Sequence, residues 1–312
     1  MVRGIIYILG LTLLTSVSCF AQPHFGKEQG NLRYRNREIM VNPAYVGSVK
    51  DTYRRLSVGA AWQWVGMKGA PKTQELQFQS GIANAGGVGG WLYHESYGVT
   101  DIIQLAGTYS YSFVLSEGHN LALGLSLSAL TISEDMVSGI DDPNDPMFTQ
   151  STPRVWGFNS GFGAMYYTDK YYVGLSMPQL LTNNWEEGVS EPKLKNTFKF
   201  DQLQFYLTGG YVFEISDDVS LMPNALLQFS GSSSFGYEAM IRGDYKRRVA
   251  VGVGYGYDKM LKAEVGVFIT KEVSVGYRYE QSFGKTYKHL SGSHLINFSV
   301  IWDRDKNASR LF

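Results

Sequence analysis

The sequence predicts an all-β chain: a transmembrane antiparallel β-barrel of about fourteen strands, of the outer-membrane type. Three observations predict it. Segments of roughly ten residues alternate apolar with polar or small side chains from residue 54 to residue 302. No stretch after the N-terminal apolar run is long and apolar enough to span a bilayer as a helix. The long connections between successive segments all fall at alternate positions and the intervening ones are short, as external loops and periplasmic turns are.

The alternation is clearest in 121–132, where Leu121, Leu123, Leu125, Leu127 and Ala129 share one face and Ala122, Gly124, Ser126 and Ser128 the other. In 272–281, Val273, Val275, Tyr277 and Tyr279 alternate with Ser274, Gly276, Arg278 and Glu280. In 251–257, Val251, Val253, Tyr255 and Tyr257 alternate with glycines, and Ile296, Phe298, Val300 and Trp302 share a face of the last segment. Strands are predicted over 54–65, 73–82, 87–97, 102–114, 120–132, 155–168, 171–177, 202–213, 219–229, 235–243, 247–257, 262–269, 272–281 and 293–302. The even-numbered connections, such as Asp169-Lys170 and Thr270-Lys271, are all short, whereas 66–72, 133–154, 178–200 and 282–292 all fall in the odd set.

An arginine at the bilayer midplane costs roughly 2–4 kcal/mol. The Leu, Val and Tyr set is therefore expected to face lipid, and the Gly, Ser, Arg and Glu set the lumen. Tyr93, Tyr97, Tyr109, Tyr111, Tyr166, Tyr167, Tyr171 and Tyr172 lie near predicted strand ends and are expected in aromatic belts.

Composition agrees. The 312 residues carry 28 Lys plus Arg against 28 Asp plus Glu, so no basic excess exists for nucleic acid. Aromatics make up 14%, and with 35 Gly they suit short strands, tight turns and interfacial girdles. Residues 1–21 read as a cleaved signal peptide: Arg3, the apolar run Ile5 to Leu14, and Cys19-Phe20-Ala21 before Gln22. Cys19 is the only cysteine, so the mature chain is expected to hold no disulfide and no cysteine metal site. The predicted organisation is completed by an N-terminal periplasmic or plug segment, 22–53, the barrel, 54–302, and a periplasmic tail, 303–312.

Little in the chain suggests catalysis. Gly86-Gly87-Val88-Gly89-Gly90 and Gly252 to Gly256 resemble nucleotide loops only superficially, because strand alternation runs through both and neither opens a helix. No pair among the five histidines has metal-ligand spacing, and no metal or cofactor is expected. His94 with Ser96 is the nearest hint of a barrel hydrolase, and it is sequence adjacency alone. The acidic stretch Asp141, Asp142, Asp145 could hold calcium outside the cell but lacks EF-hand spacing, so a solvated loop is favoured. Together with Phe148, and with Trp185, Glu186 and Glu187 in the next long loop, it forms the expected partner-contact surface.

Several motifs resemble those of the PorP/SprF family of type IX secretion system membrane proteins. Asn42-Pro43-Ala44-Tyr45-Val46-Gly47 is similar to the family's NPAYAG, with Val46 in place of the usual Ala. Arg55, then Gln63-Trp64-Val65-Gly66, then Gly69-Ala70-Pro71-Lys72-Thr73 resemble the block that follows it. Asp142 to Phe148 looks like the acidic DP-x-DP-x-F loop; Tyr172 to Ser176 and Gly292-Ser293-His294 echo later landmarks, the last without the acidic residue of the family's GSHE. The resemblance implies a non-catalytic outer-membrane barrel of a secretion and gliding apparatus in Bacteroidota. It would bind, help export or anchor a secreted, adhesin-like cargo through the cargo's C-terminal domain, alongside other secretion components such as periplasmic ring lipoproteins. A passive small-solute porin and a barrel-embedded hydrolase are the competing readings.

Overall fold

A computed structural model describes residues 38–49, 52–82, 86–135, 152–185, 193–230, 235–284 and 289–302. The expected signal peptide and the tail 303–312 lie outside these residues. A four-residue helix, α1 (Glu38–Val41), and a 3-10 turn (Pro43–Gly47) precede the strands. The strands are β1 (Arg54–Trp62), β2 (Lys72–Ile82), β3 (Gly86–Tyr97), β4 (Thr100–Ser116), β5 (His119–Glu134), β6 (Thr152–Tyr167) and β7 (Tyr171–Met177). A hairpin of β8 (Thr182–Trp185) and β9 (Leu194–Thr197) follows. The chain then forms β10 (Gln204–Tyr211), β11 (Phe213–Glu214), β12 (Val219–Ser230), β13 (Phe235–Tyr245), β14 (Val249–Gly256), β15 (Met260–Phe268), β16 (Val273–Ser282) and β17 (Ser293–Trp302).

All but the hairpin form one 15-stranded antiparallel sheet. β11 continues β10, so the wall has fourteen staves. It closes where β1 pairs β17, from Arg54 opposite Trp302 to Trp62 opposite His294, and where β10 pairs both β7 and β12. Closure leaves backbone groups paired around the ring, which hydrocarbon demands.

Side chains divide as the alternation requires. Leu125 and Leu127 are 61% and 72% exposed on the outside, whereas Arg278 and Glu280 are 3% and 2% exposed within. Aromatic rings are neighbours along the wall: Tyr111 edge-on to Phe113, Tyr171 stacked on Tyr211 and Tyr211 tilted against Phe213 at one end, and the tilted series Phe229, Phe235, Tyr237 and Tyr255 at the other. Not every tyrosine expected in the belts is there. Tyr93 and Tyr172 are buried inside the barrel, and Tyr167 turns its hydroxyl inward to Gly47. Adjacent tyrosines such as Tyr166-Tyr167 and Tyr171-Tyr172 must split between the two faces of a pleated strand.

Three other expectations need correcting. β1 ends at Trp62, not 65, because Trp64 (φ 43°) and Gly66 (φ 99°) take left-handed backbone that breaks the strand. The strand expected over 202–213 is interrupted at Val212: the register sets Tyr211 opposite Pro223, which has no N–H to donate to the ladder. The stretch 178–200, expected to be loop, contains β8 and β9. The apolar core of the molecule lies inside the ring, where Ile39, Val41, Ala44, Tyr45 and Val46 pack with Trp91, Tyr93, Met165, Tyr206, Met222 and Leu226.

Candidate functional site

The interior is occupied by three features. The first is the segment 38–49, laid against the inner faces of β2 to β7. Pro43 sits at the start of the 3-10 turn, where its missing N–H costs nothing. Asn42 caps the turn: its Oδ1 accepts from Ala44 N at 2.9 Å, and its Nδ2 donates to the Ala164 carbonyl at 3.2 Å. So short a turn leaves carbonyls without helical partners, and the wall supplies donors. Ser176 Oγ reaches Val41 O at 2.8 Å, Ser110 Oγ reaches Ala44 O at 3.3 Å, Gln79 Nε2 reaches Tyr45 O at 3.0 Å, and Ser112 Oγ donates to Gly47 O. Tyr45 packs edge-on against Tyr172 with centroids 5.7 Å apart. Burial, and then the Tyr172 phenol beside it, raise the Tyr45 pKa well above the ordinary value, so the ring stays neutral. Gly87, Gly124 and Gly163 make room: a Cβ at each would strike Val46, Pro43 and Asn42 respectively.

The second feature closes the mouth. Beyond Met177 the chain turns inward along β6. Asn159 Oδ1 accepts from Leu180 N at 3.0 Å and Leu181 N at 2.9 Å, and its Nδ2 donates to Leu181 O at 2.6 Å. The β8–β9 hairpin then lies on the wall at Gly157, where a Cβ would come within 2.9 Å of Asn183 Nδ2 and 3.2 Å of Leu194 Cδ1.

The third is a charge cluster on the opposite side. Lys262 Nζ meets Glu238 at 2.5 Å and Glu280 at 3.9 Å; Arg278 meets Glu264 at 2.7 Å and Glu280 at 3.8 Å. Lys262 on β15 reaches Glu238 on β13 across β14, whose inner residues there are Gly254 and Gly256. The 252–256 glycines are thus a trench for these side chains, and Glu264 lies against Gly252.

The motif residues separate into two places. Asn42, Pro43, Ala44, Tyr45 and Gly47 are in the lumen, and Arg55 at the foot of β1 stands beside the carboxylates of Glu38 and Glu75. Gln63, Trp64, Gly69 and Pro71 form the β1–β2 loop at the mouth. There Gln63 N donates to Pro71 O at 2.9 Å, Val65 N to Gly292 O at 3.1 Å and Gly98 N to Gly69 O at 2.9 Å, tying three connections together; Thr73 is buried at the top of β2. Asp141, Asp142, Asp145, Phe148, Glu186 and Glu187 lie outside the described residues, and Trp185 ends β8. His94 faces outward and bonds Asp101 at 2.6 Å; Arg154 takes the other Asp101 oxygen at 2.8 Å. This is a polar patch at the rim. Among the described residues no three His, Cys, Asp or Glu are placed to hold a metal. Sequence reasoning missed the hairpin and the Ser176, Ser110 and Gln79 donors; inward-facing glycines and serines were the available signal.

The family model for type IX secretion system membrane protein PorP/SprF matches residues 31–300. The chain belongs to that family. No curated protein matches it. Among solved structures, a Pseudomonas aeruginosa FadL homologue is similar at 14% identity and TM-score 0.49, with 84% of this chain and 92% of that one covered. The Ralstonia pickettii toluene transporter TbuX shows 10% identity and TM-score 0.48, covering 85% and 92%. A TodX deltaS2S3 mutant, a monoaromatic hydrocarbon channel, shows 11% identity and TM-score 0.50, covering 86% and 94%. The last likeness is one of fold; the barrel assignment of this PorP/SprF protein stands on its own closed ladder.

Proposed function

We propose that this PorP/SprF barrel is a non-catalytic partner of one secreted protein, binding the cargo's C-terminal domain at the outer face and helping to export or anchor it at the cell surface. The observation that carries the reading is the filled interior of a family member from a secretion machine. A wall lined by docked backbone at 38–49, a hairpin in the mouth and paired charges opposite is built for rigidity. The long external loops are then the recognition surface on a fixed scaffold. The same packing weighs against a passive porin. The short periplasmic turns are the surface offered to the rest of the apparatus, including ring lipoproteins, in a Bacteroidota-type envelope reached by signal-peptide export. Replacing residues 136–150 with a short Gly-Ser linker should leave barrel assembly intact and abolish surface display of one cargo. Normal display of every secreted protein would refute the reading.

A further inference from the structure

The strand pairings set one row of outward-facing side chains along the mouth end of the wall. Trp62 stands opposite Lys72, Lys72 opposite Ser96, Ser96 opposite Asp101 and Asp101 opposite Ser133. Arg154 of β6 joins the row through side-chain bonds: Nη1 donates to Thr131 Oγ1 at 2.9 Å and Nη2 to Asp101 Oδ1 at 2.8 Å. The outward row beneath is still partly polar, with Gln74 opposite His94. Two residues further down each strand the wall turns apolar: Val58 is opposite Leu76, Leu76 opposite Leu92 and Leu92 opposite Leu105, all exposed. β12 and β13 carry a different pattern. Their outward pairs at the mouth end are Leu227 with Tyr237 and Phe229 with Phe235. The polar band therefore belongs to the β1–β6 side of the wall, where it sits directly above leucines.

Charge sets the height of this band. An arginine or lysine deeper in lipid is expensive, so the band meets lipid headgroups and the leucines below it meet acyl chains. Its chemistry suits anions. Asp101 gives one oxygen to Arg154 and the other to His94 at 2.6 Å, so it holds the guanidinium in place instead of facing the lipid. Those two bonds and the one to Thr131 leave most of the five Arg154 donors unused. Lys72 is exposed and pairs with no carboxylate among the described residues. Guanidinium and ammonium groups bind phosphate oxygens, the first with a planar fork and the second as a point charge. Ser96 and Ser133 place hydroxyls between the cations. On the far side of Trp62 stands His294, whose ring meets Tyr279 edge-on at 5.3 Å. Such rings put an apolar face and a polar edge at the interface, which matches a sugar ring.

We infer that the outward face of β1 to β6 at the mouth end binds phosphorylated glycolipid headgroups of the outer leaflet. Arg154 and Lys72 take the phosphates, the serine hydroxyls and Trp62 take the sugars, and the acyl chains lie on Leu76, Leu92 and Leu105. Charge complementarity chooses this occupant over a neutral lipid, and the leucines beneath choose a lipid over a soluble anion. The site is on the outside of the ring, so it stands apart from the cargo-binding reading.

The test uses the full barrel in detergent and reads bound lipid by native mass spectrometry. The probes are a diphosphoryl lipid A, the same lipid stripped of its phosphates, phosphatidylglycerol and inorganic phosphate. The diphosphoryl lipid should bind, and the stripped lipid should bind about tenfold more weakly. Lys72→Gln combined with Arg154→Gln should bring the parent's affinity for the diphosphoryl lipid down by a similar factor. Phe229→Leu, on β12, should bind it as the parent does. Lys72→Gln alone changes an exposed side chain, keeps the fold and should show part of the loss, so the inference stays open to refutation if the double variant fails to assemble. Equal affinity of the parent and of every Lys72 variant would overturn the site. So would equal binding of the stripped lipid. Displacement by inorganic phosphate at matching concentration would make this a free-anion site, and displacement by phosphatidylglycerol would make it a general attraction for anionic lipid; either result overturns the glycolipid assignment.

Discussion

Asn42 closes the 3-10 turn with one side-chain atom and ties the turn to β6 with the other, while fully buried. Asn42→Ala leaves both Ala44 N–H and the Ala164 carbonyl short of a partner. The expected loss is about 1–3 kcal/mol, read as a lower thermal unfolding midpoint of a barrel that still assembles. Lys262 offers a second residue-level case. It is 3% exposed between Glu238 and Glu280, and Lys262→Met strands the buried Glu238 carboxylate and leaves Glu280 to Arg278 at 3.8 Å. Breaking such a pair costs about 3–5 kcal/mol; the double variant Lys262→Met with Glu238→Leu should regain part of it in the same unfolding assay. At this scale the sequence revealed which residues are unusual but not why. The Asn-Pro and glycine runs were conspicuous, yet Gly163 and Gly87 gain meaning only when Asn42 and Val46 are seen to lie against them. Long-range docking has no periodic trace.

At the scale of elements, alternation located the fourteen staves because each stave separates lipid from lumen residue by residue, a repeat that survives in the sequence whatever the neighbours are. It failed where that cause is absent. β8 and β9 read Thr-Asn-Asn-Trp and Leu-Lys-Asn-Thr, with no apolar face, since they lie in the mouth on Gly157 and never meet lipid. Gly157→Leu should push the hairpin off the wall, and a protease should then cut within 186–192 faster than in the parent, with strand content by circular dichroism unchanged. Tertiary context also explains Pro223. Its alternation is correct for a strand, and only the register shows that Tyr211 faces a residue without a donor. Pro223→Val restores a ladder bond between β10 and β12 and should stabilise the barrel by about 1 kcal/mol.

For the whole molecule, the decisive quantity is what fills the ring. A barrel of this size lies between small ones packed by their own side chains and wide porins with an aqueous channel. Here the difference is made by segment 38–49, whose apolar residues join a core spanning from Trp91 on β3 to Leu226 on β12, with ion pairs occupying the side that it does not reach. If docked backbone is what closes the lumen, the parent protein in a planar bilayer should pass little ionic current. Gly163→Val combined with Gly124→Val, which takes the space of Asn42 and Pro43 without touching the outer face, should undock the segment and give steady conductance. An equal, low current from both proteins would mean that the charges of β13 to β16 and the mouth hairpin suffice to seal the ring. An equal, high current would mean that water already passes beside segment 38–49, and the argument from rigidity to cargo binding would lose its footing.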